Sequence, residues 1–270
     1  MIEALEPRDR PMRADDLVRS VKGAAKAALD LLLPPTCPIS GERVAAPGLL
    51  SASGWSQLQF IDDPACASCG APFGAEEGAD SVCGACSAEP PAFDRARAAV
   101  VYGEASHRLI VAFKHSDRTE LLPLLARLLA RAGAGVDWRG ALIVPCPLHP
   151  LRLIQRRYNQ AAILAQGLHA GLAEAHGAGL GVDALRRIKP TPPQQRLGAE
   201  ARRRNVAGAF AASDAWKPRL NGRHVVLIDD VLTTGATLSA CARALKKAGA
   251  AQVEALVVAR ALRGVTALGA

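Results

Sequence analysis

The chain has 270 residues, half of them hydrophobic, with a net charge of +8 and a pI near 9.4. That length and apolar share suffice for a full α/β core with a small accessory module, and the basic balance suits either a solvated arginine-rich surface or a partner bearing phosphates. Aromatics at 4% leave little for a base-stacking platform, and no apolar run is long enough for a membrane span, the nearest, Ala24 to Leu33, being broken by Lys26 and Asp30.

Glu3, Glu6, Asp9, Asp15 and Asp16 precede any apolar stretch, unlike the basic start of a secretory leader, so a cytoplasmic protein is expected. Leu17, Val18, Val21, Ala25, Ala28, Leu29 and Leu32 recur at helical spacing. They predict one amphipathic helix from about Ala14 to Leu33, stopped by Pro34-Pro35. From Cys37 to about Pro91 the composition shifts to Gly, Pro, Ser, Ala and Cys without helical period, as in a small loop-rich module.

Within that module Cys66-Ala-Ser-Cys69 and Cys83-Gly-Ala-Cys86 form two C-x-x-C knuckles separated by thirteen residues. Four thiolates so spaced can surround one structural Zn²⁺ tetrahedrally, and the following glycines let backbone amides turn toward sulfur. Disulfides are the competing reading; an odd total of seven cysteines and a reducing compartment favour the metal.

Regular structure is predicted to resume with a strand over Arg95–Tyr102, then helix at His107–Lys114 and Glu120–Arg131. A short buried strand follows at Ala141–Pro145 and a helix from about Gln155 to Ala175. Lys189 to Asn205 reads as an exposed basic loop running into a helix. His224–Asp230 reads as a strand, Ala236–Ala248 as a helix and Gln252–Ala259 as a last strand. Strands alternating with helices imply a mostly parallel sheet with helices on both faces.

In His224-Val-Val-Leu-Ile-Asp229-Asp230 a buried strand runs straight into two carboxylates, at the end where α/β sheets bind ligands. Val231 and Leu232 follow, then the small, hydroxyl-bearing run Thr233-Thr234-Gly235-Ala236-Thr237 opens into a helix. Backbone N–H groups, hydroxyls and a helix N-terminus together fit a phosphate group. The two acids can then bond vicinal ribose hydroxyls or help hold Mg²⁺ through water. A plain capping turn is the bland reading, although a cap needs one acid and not the whole run. No Gly-Lys pair exists for a P-loop, no G-x-G-x-x-G follows a strand, and about forty residues after the acids are too few for a receiver domain.

A pyrophosphate-bearing ligand also needs cations. Candidates are Lys114 and His115 in Phe113-Lys114-His115, and Arg156 and Arg157 in the run Pro145 to Gln160, beside the bland readings of solvated arginines and surface histidines at His115 and His149. The loop Thr191 to Leu197 and Arg202-Arg203-Arg204-Asn205 could fold over a polyanion or form a solvated helix face.

Val225 to Thr237 resembles the signature of type I phosphoribosyltransferases, and with Phe113-Lys114-His115, Val144-Pro145 through His149, Arg157-Tyr158-Asn159-Gln160 and the T-P-P-Q-x-x-L loop it occurs in the order of the ComF family. These proteins join an N-terminal zinc-ribbon region to a phosphoribosyltransferase-like domain, and some are linked to DNA uptake in natural competence. The resemblance covers Leu31 to Ala259 and implies a zinc-ribbon region over 37–92 and an α/β phosphoribosyltransferase-like domain over 93–270, behind the amphipathic N-terminal segment over 1–36 that the apolar spacing predicts. It implies that Asp229 and Asp230 hold the ribose, that Leu232 to Thr237 cradle its 5′-phosphate, and that a Mg²⁺-bound phosphoribosyl pyrophosphate transfers its sugar with release of pyrophosphate. The alternative function is a non-catalytic component that binds a nucleotide or single-stranded DNA during uptake, with contacts to competence machinery or to further copies of the chain. Two ribbons are usual in the family, yet the first ribbon's ligand positions here read Cys37, Ser40, Ser51 and Gly54, so one Zn²⁺ per chain is expected. Cys146 and Cys241 read as small buried residues.

Overall fold

The computed structural model describes residues 34–78, 80–115, 118–148, 158–189 and 199–262, with His115 and Ala199 through their backbone alone. The helix predicted between Ala14 and Leu33 lies outside these residues. Ala52–Ser56 (α1) and Gly84–Ala88 (α2) are short helices of the cysteine-bearing segment. Then follow Arg95–Val101 (β1), Glu104–His115 (α3), Leu122–Ala132 (α4) and Leu142–Pro145 (β2). Gln160–His176 (α5), Gly179–Leu180 (β3), Leu185–Arg187 (β4), Ala199–Val206 (α6) and Phe210–Ala212 (β5) come next. Lys217–Leu220 (α7), His224–Leu232 (β6), Ala236–Lys247 (α8) and Gln252–Arg260 (β7) complete the order.

Five strands form one parallel sheet in the order β1-β7-β6-β2-β3, as the alternation of strands and helices predicts. Val225 to Ile228 of β6 are buried on both faces, which explains why that strand is a continuous apolar run and not an alternating one. Val226 and Ile228 join a core with Phe113 of α3, Leu125 of α4 and Leu164 of α5, while Val225 and Leu227 face Leu238, Cys241 and Leu245 of α8. β3 spans two residues, and β4 and β5 pair as an antiparallel ribbon of three residues each. None of these short pieces shows a period in the sequence.

Strand β1 lies at the sheet's edge, where unpaired backbone groups need a partner. The cysteine-bearing segment supplies it: Ile61 N–H donates to the Ala99 carbonyl at 3.0 Å, Val101 N–H to Gln59 at 2.8 Å and Ala96 N–H to Ser68 at 2.7 Å. Ile39, Leu50 and Leu58 pack into the same core as Val226 and Ile228. The segment therefore docks on the sheet and shares its hydrophobic core.

Candidate functional site

Strand β2 ends at Pro145, paired with Ile228, whereas β6 runs on beside β7 to Leu232. From β2 the chain passes through α5 to β3 on one side, and from β6 through α8 to β7 on the other. The gap between β2 and β6 is thus the sheet's topological switch point, where ligands bind in open α/β sheets. Asp229 and Asp230 are the first residues of β6 beyond the end of β2.

The pleat of β6 sends consecutive side chains to opposite faces. Asp229 lines a small cavity with Val231, Leu232, Thr233, Thr234, Gly235, Ala236 and Thr237. Its Oδ1 accepts the Asp230 N–H at 2.9 Å. Burial, and then the neighbouring Asp230 charge, push its carboxyl up to about 7. Cys146 and Cys241 are buried, as expected; the hydrogen bond to Cys241 and then burial hold the Cys146 thiol well above its ordinary range. Asp230 faces the other way, its Oδ2 2.5 Å from Lys114 Nζ. The structure gathers Asp229 and the whole hydroxyl-rich loop, and it gives Lys114 to Asp230.

The loop bends at Gly235, whose φ of +77° lies in the left-handed region as it caps α8. Thr234 Oγ1 accepts the Ala236 N–H at 3.4 Å, closing the turn. Helix α6 brings Arg202 Nη1 to 3.4 Å from Thr233 Oγ1. The Arg157-Tyr158-Asn159-Gln160 motif explains itself in part: Tyr158 donates its hydroxyl to the Phe113 carbonyl at 3.0 Å, and Asn159 caps α5 while its Nδ2 donates to the Cys146 carbonyl at 3.1 Å. These bonds lock the end of β2 and of α3 beside the crevice. Arg156, Arg157, His149, the loop at 191–197 and the side chain of His115 lie outside the described residues.

Sequence reasoning missed Arg260. It ends the apolar strand β7 yet is buried, and its Nη1 donates to the carbonyls of Leu232 at 3.1 Å and Thr233 at 2.7 Å, at the base of the loop. The signal was a lone cation closing the run Leu256-Val257-Val258-Ala259.

Cys66, Cys69, Cys83 and Cys86 offer four sulfurs within 4.8 Å of one another, the one group of three or more potential ligands among the described residues. The Cys69 and Cys83 amides point at Cys66 Sγ from 3.4 and 3.3 Å. Burial opposes ionisation of Cys66, but those donors outweigh it and bring the thiol down to about 7. Four thiols within reach of one ion, with amides aimed at sulfur, fit structural zinc. The first ribbon differs: Ser40 Oγ and Ser51 Oγ bond at 2.8 Å, Ser51 Oγ also meets Ser53 Oγ at 3.1 Å, and the Gly54 amide donates to Ser51 Oγ at 3.1 Å. Hydroxyl bonds stand where thiolates would converge.

Residues 28–87 match the double zinc ribbon domain family, and residues 164–267 match the phosphoribosyl transferase domain family. Competence protein F of Haemophilus influenzae is 32% identical over 223 residues, which cover 81% of this chain and 93% of that protein. DNA utilization protein YhgH of Salmonella typhi is 33% identical over 205 residues, 73% of this chain and 84% of that protein. Adenine phosphoribosyltransferase of Mycobacteroides abscessus is 40% identical over 98 residues, 36% of this chain and 54% of that protein.

Proposed function

We propose that this chain, which belongs to the family of competence protein F and DNA utilization protein YhgH, binds phosphoribosyl pyrophosphate or a related ribose phosphate at the β2–β6 crevice. The observation that carries the reading is the cavity shared by Asp229 and Thr233 to Thr237 at the N-terminus of α8. Backbone amides and hydroxyls of the loop receive the 5′-phosphate, and the helix end favours its charge. Asp229 faces the sugar from the end of β6. Asp230 completes the acidic edge, held by Lys114 in a defined orientation.

The same arrangement supports transfer of the sugar. Pyrophosphate leaves C1′ with the bonding pair, a lone pair of the acceptor adds to C1′ as the acceptor's proton passes to solvent, and the sugar carries positive charge between departure and addition. A carboxylate close to the ring lowers the energy of that charge. Mg²⁺ would neutralise the leaving pyrophosphate, and Asp229 would help hold it through water. The four-cysteine cluster is read as holding one structural Zn²⁺, with no part in the chemistry.

Single-stranded DNA is the second reading, supported by the basic face of α6. Arg203 pairs with Glu89 and Arg204 with Glu200 within the chain, which weakens it. Calorimetric titration with phosphoribosyl pyrophosphate and Mg²⁺, beside single-stranded DNA at two salt concentrations, separates the two. Ligand binding abolished by Asp229→Asn with Asp230→Asn supports the crevice. Salt-sensitive DNA binding that survives those changes, with no ribose-phosphate binding, overturns it. A product assay for pyrophosphate release then decides transfer.

A further inference from the structure

Arg260 is 7% exposed at the carboxyl end of β7, and its guanidinium reaches in two directions. Toward the site, Nη1 donates to the carbonyls of Leu232 at 3.1 Å, Thr233 at 2.7 Å and Ala261 at 2.5 Å. Toward the cysteine cluster, Nε donates to the Cys69 carbonyl at 3.3 Å and Nη2 stands 3.5 Å from Cys69 Sγ. Leu232 and Thr233 are where the loop leaves β6; Cys69 is one of the four thiol ligands. Between these two elements lies a cavity lined by Cys69, Cys86, Phe93, Thr234, Gly235 and Arg260. The cluster and the loop are therefore joined by the buried Arg260 side chain, whose planar fork of donors is preorganised for several acceptors.

We infer that Arg260 is a positioning residue that ties the shape of the Thr233–Thr237 loop to metal occupancy of the four-cysteine cluster. A zinc-bound Cys69 is fixed in place and carries charge that the guanidinium meets from outside the ligand shell, as partners of metal ligands commonly do. That anchor orients Arg260, and Arg260 in turn holds the two carbonyls from which the loop bends. Without the metal the anchor is loose, and the loop loses its fixed base. The effect on ligand affinity rests on the ribose-phosphate reading; the mechanical link does not.

Hydrogen exchange followed by mass spectrometry on the full chain tests the link directly. Zinc-loaded and chelator-treated samples of the native chain, Arg260→Lys and Arg260→Gln are compared, with zinc content measured by elemental analysis. In the native chain, chelation should speed exchange of the 233–237 amides by roughly tenfold or more, while Val225 to Ile228 stay protected. In zinc-loaded Arg260→Gln the loop should already exchange fast and chelation should add little, and zinc affinity should fall by roughly ten- to hundredfold. Loop exchange that ignores chelation in the native chain, or that responds equally in Arg260→Gln, overturns the inference. Where Arg260→Gln loses protection throughout β6, Arg260→Lys decides by the same criteria, since lysine keeps the charge and loses the fork. Titration of each sample with phosphoribosyl pyrophosphate and Mg²⁺ keeps the two ideas apart. Coupled exchange in a native chain that does not bind the ligand sinks the ribose-phosphate reading and leaves the link standing; binding without coupled exchange does the reverse.

Discussion

Lys114 Nζ and the Asp230 carboxylate stand 2.5 Å apart beyond the end of β2, with side chains only 17% and 18% exposed. At that burial the pair is worth more than an exposed one, and its loss leaves a half-desolvated carboxylate. Lys114→Met is expected to destabilise the fold by about 1–2 kcal/mol. It should also raise the dissociation constant for phosphoribosyl pyrophosphate by roughly tenfold, because Asp230 loses its orientation. Lys114→Arg, which keeps the charge, should recover most of the stability. Urea unfolding and calorimetric titration read both effects, and an unchanged affinity in Lys114→Met would show that Asp230 does not serve the ligand.

Asp229 makes a prediction about pH. Its carboxyl is raised from 3.8 to about 7 in the folded chain, chiefly by burial. Between those values the folded chain keeps a proton that the unfolded chain has released, so stability falls as pH rises through that window. The whole cost is present above it. Asp229→Asn removes the cost and should stabilise the protein by about 1–2 kcal/mol near pH 8, discounted for partial solvent access, and by almost nothing near pH 4. Urea midpoints at the two pH values test this, and an equal gain at both would mean that burial of the acid is not what strains the site. The same variant should lose ligand binding, the usual trade between stability and a functional carboxylate.

The parallel sheet, the acidic strand end and the thiol knuckles were legible because each is written in contiguous residues. His224 to Thr237 carries strand, acids, loop and helix start in one run, and the structure keeps that order. What stayed hidden depends on contacts far apart in the chain. The partnership of Lys114 with Asp230 spans 116 positions, 230 − 114, and that of Arg260 with Cys69 spans 191. The opposite facing of Asp229 and Asp230 follows from strand pleat, once β6 is known to continue past them. The docking of the cysteine segment on β1 was illegible, because edge pairing through backbone groups such as Ser68 leaves no mark on side-chain pattern.

Gly235 should resist substitution for a backbone reason. An added Cβ would have room, its nearest neighbour being Leu232 Cδ1 at 3.5 Å, but the φ of +77° is one that other residues adopt at a cost. Gly235→Ala is therefore expected to lose about 1–2 kcal/mol through the backbone alone. Relaxing toward negative φ would turn the loop amides away from the phosphate. Ligand affinity should then fall by roughly tenfold with an unchanged denaturant slope, since no surface is newly exposed. Full affinity in Gly235→Ala would place the phosphate elsewhere.

The two ribbons should respond differently to removal of a single thiol. In the second, Cys83 belongs to the four-sulfur group, and Cys83→Ser leaves three thiols, so zinc content should drop from about one per chain to near zero, with a lower melting temperature. In the first, Cys37 has serine neighbours bonded to one another, and a side chain at Gly54 would place its Cβ 2.6 Å from Cys37 Sγ. That space is already filled by packed sulfur, so no fourth ligand can approach without displacing it. Cys37→Ser should keep the zinc content of the native chain and cost only packing, because Cys37 is 2% exposed within the shared core. Elemental analysis of the two variants beside the native protein gives the answer: metal lost from Cys37→Ser would mean that the hydroxyl-bonded ribbon still binds an ion, and that the chain holds two.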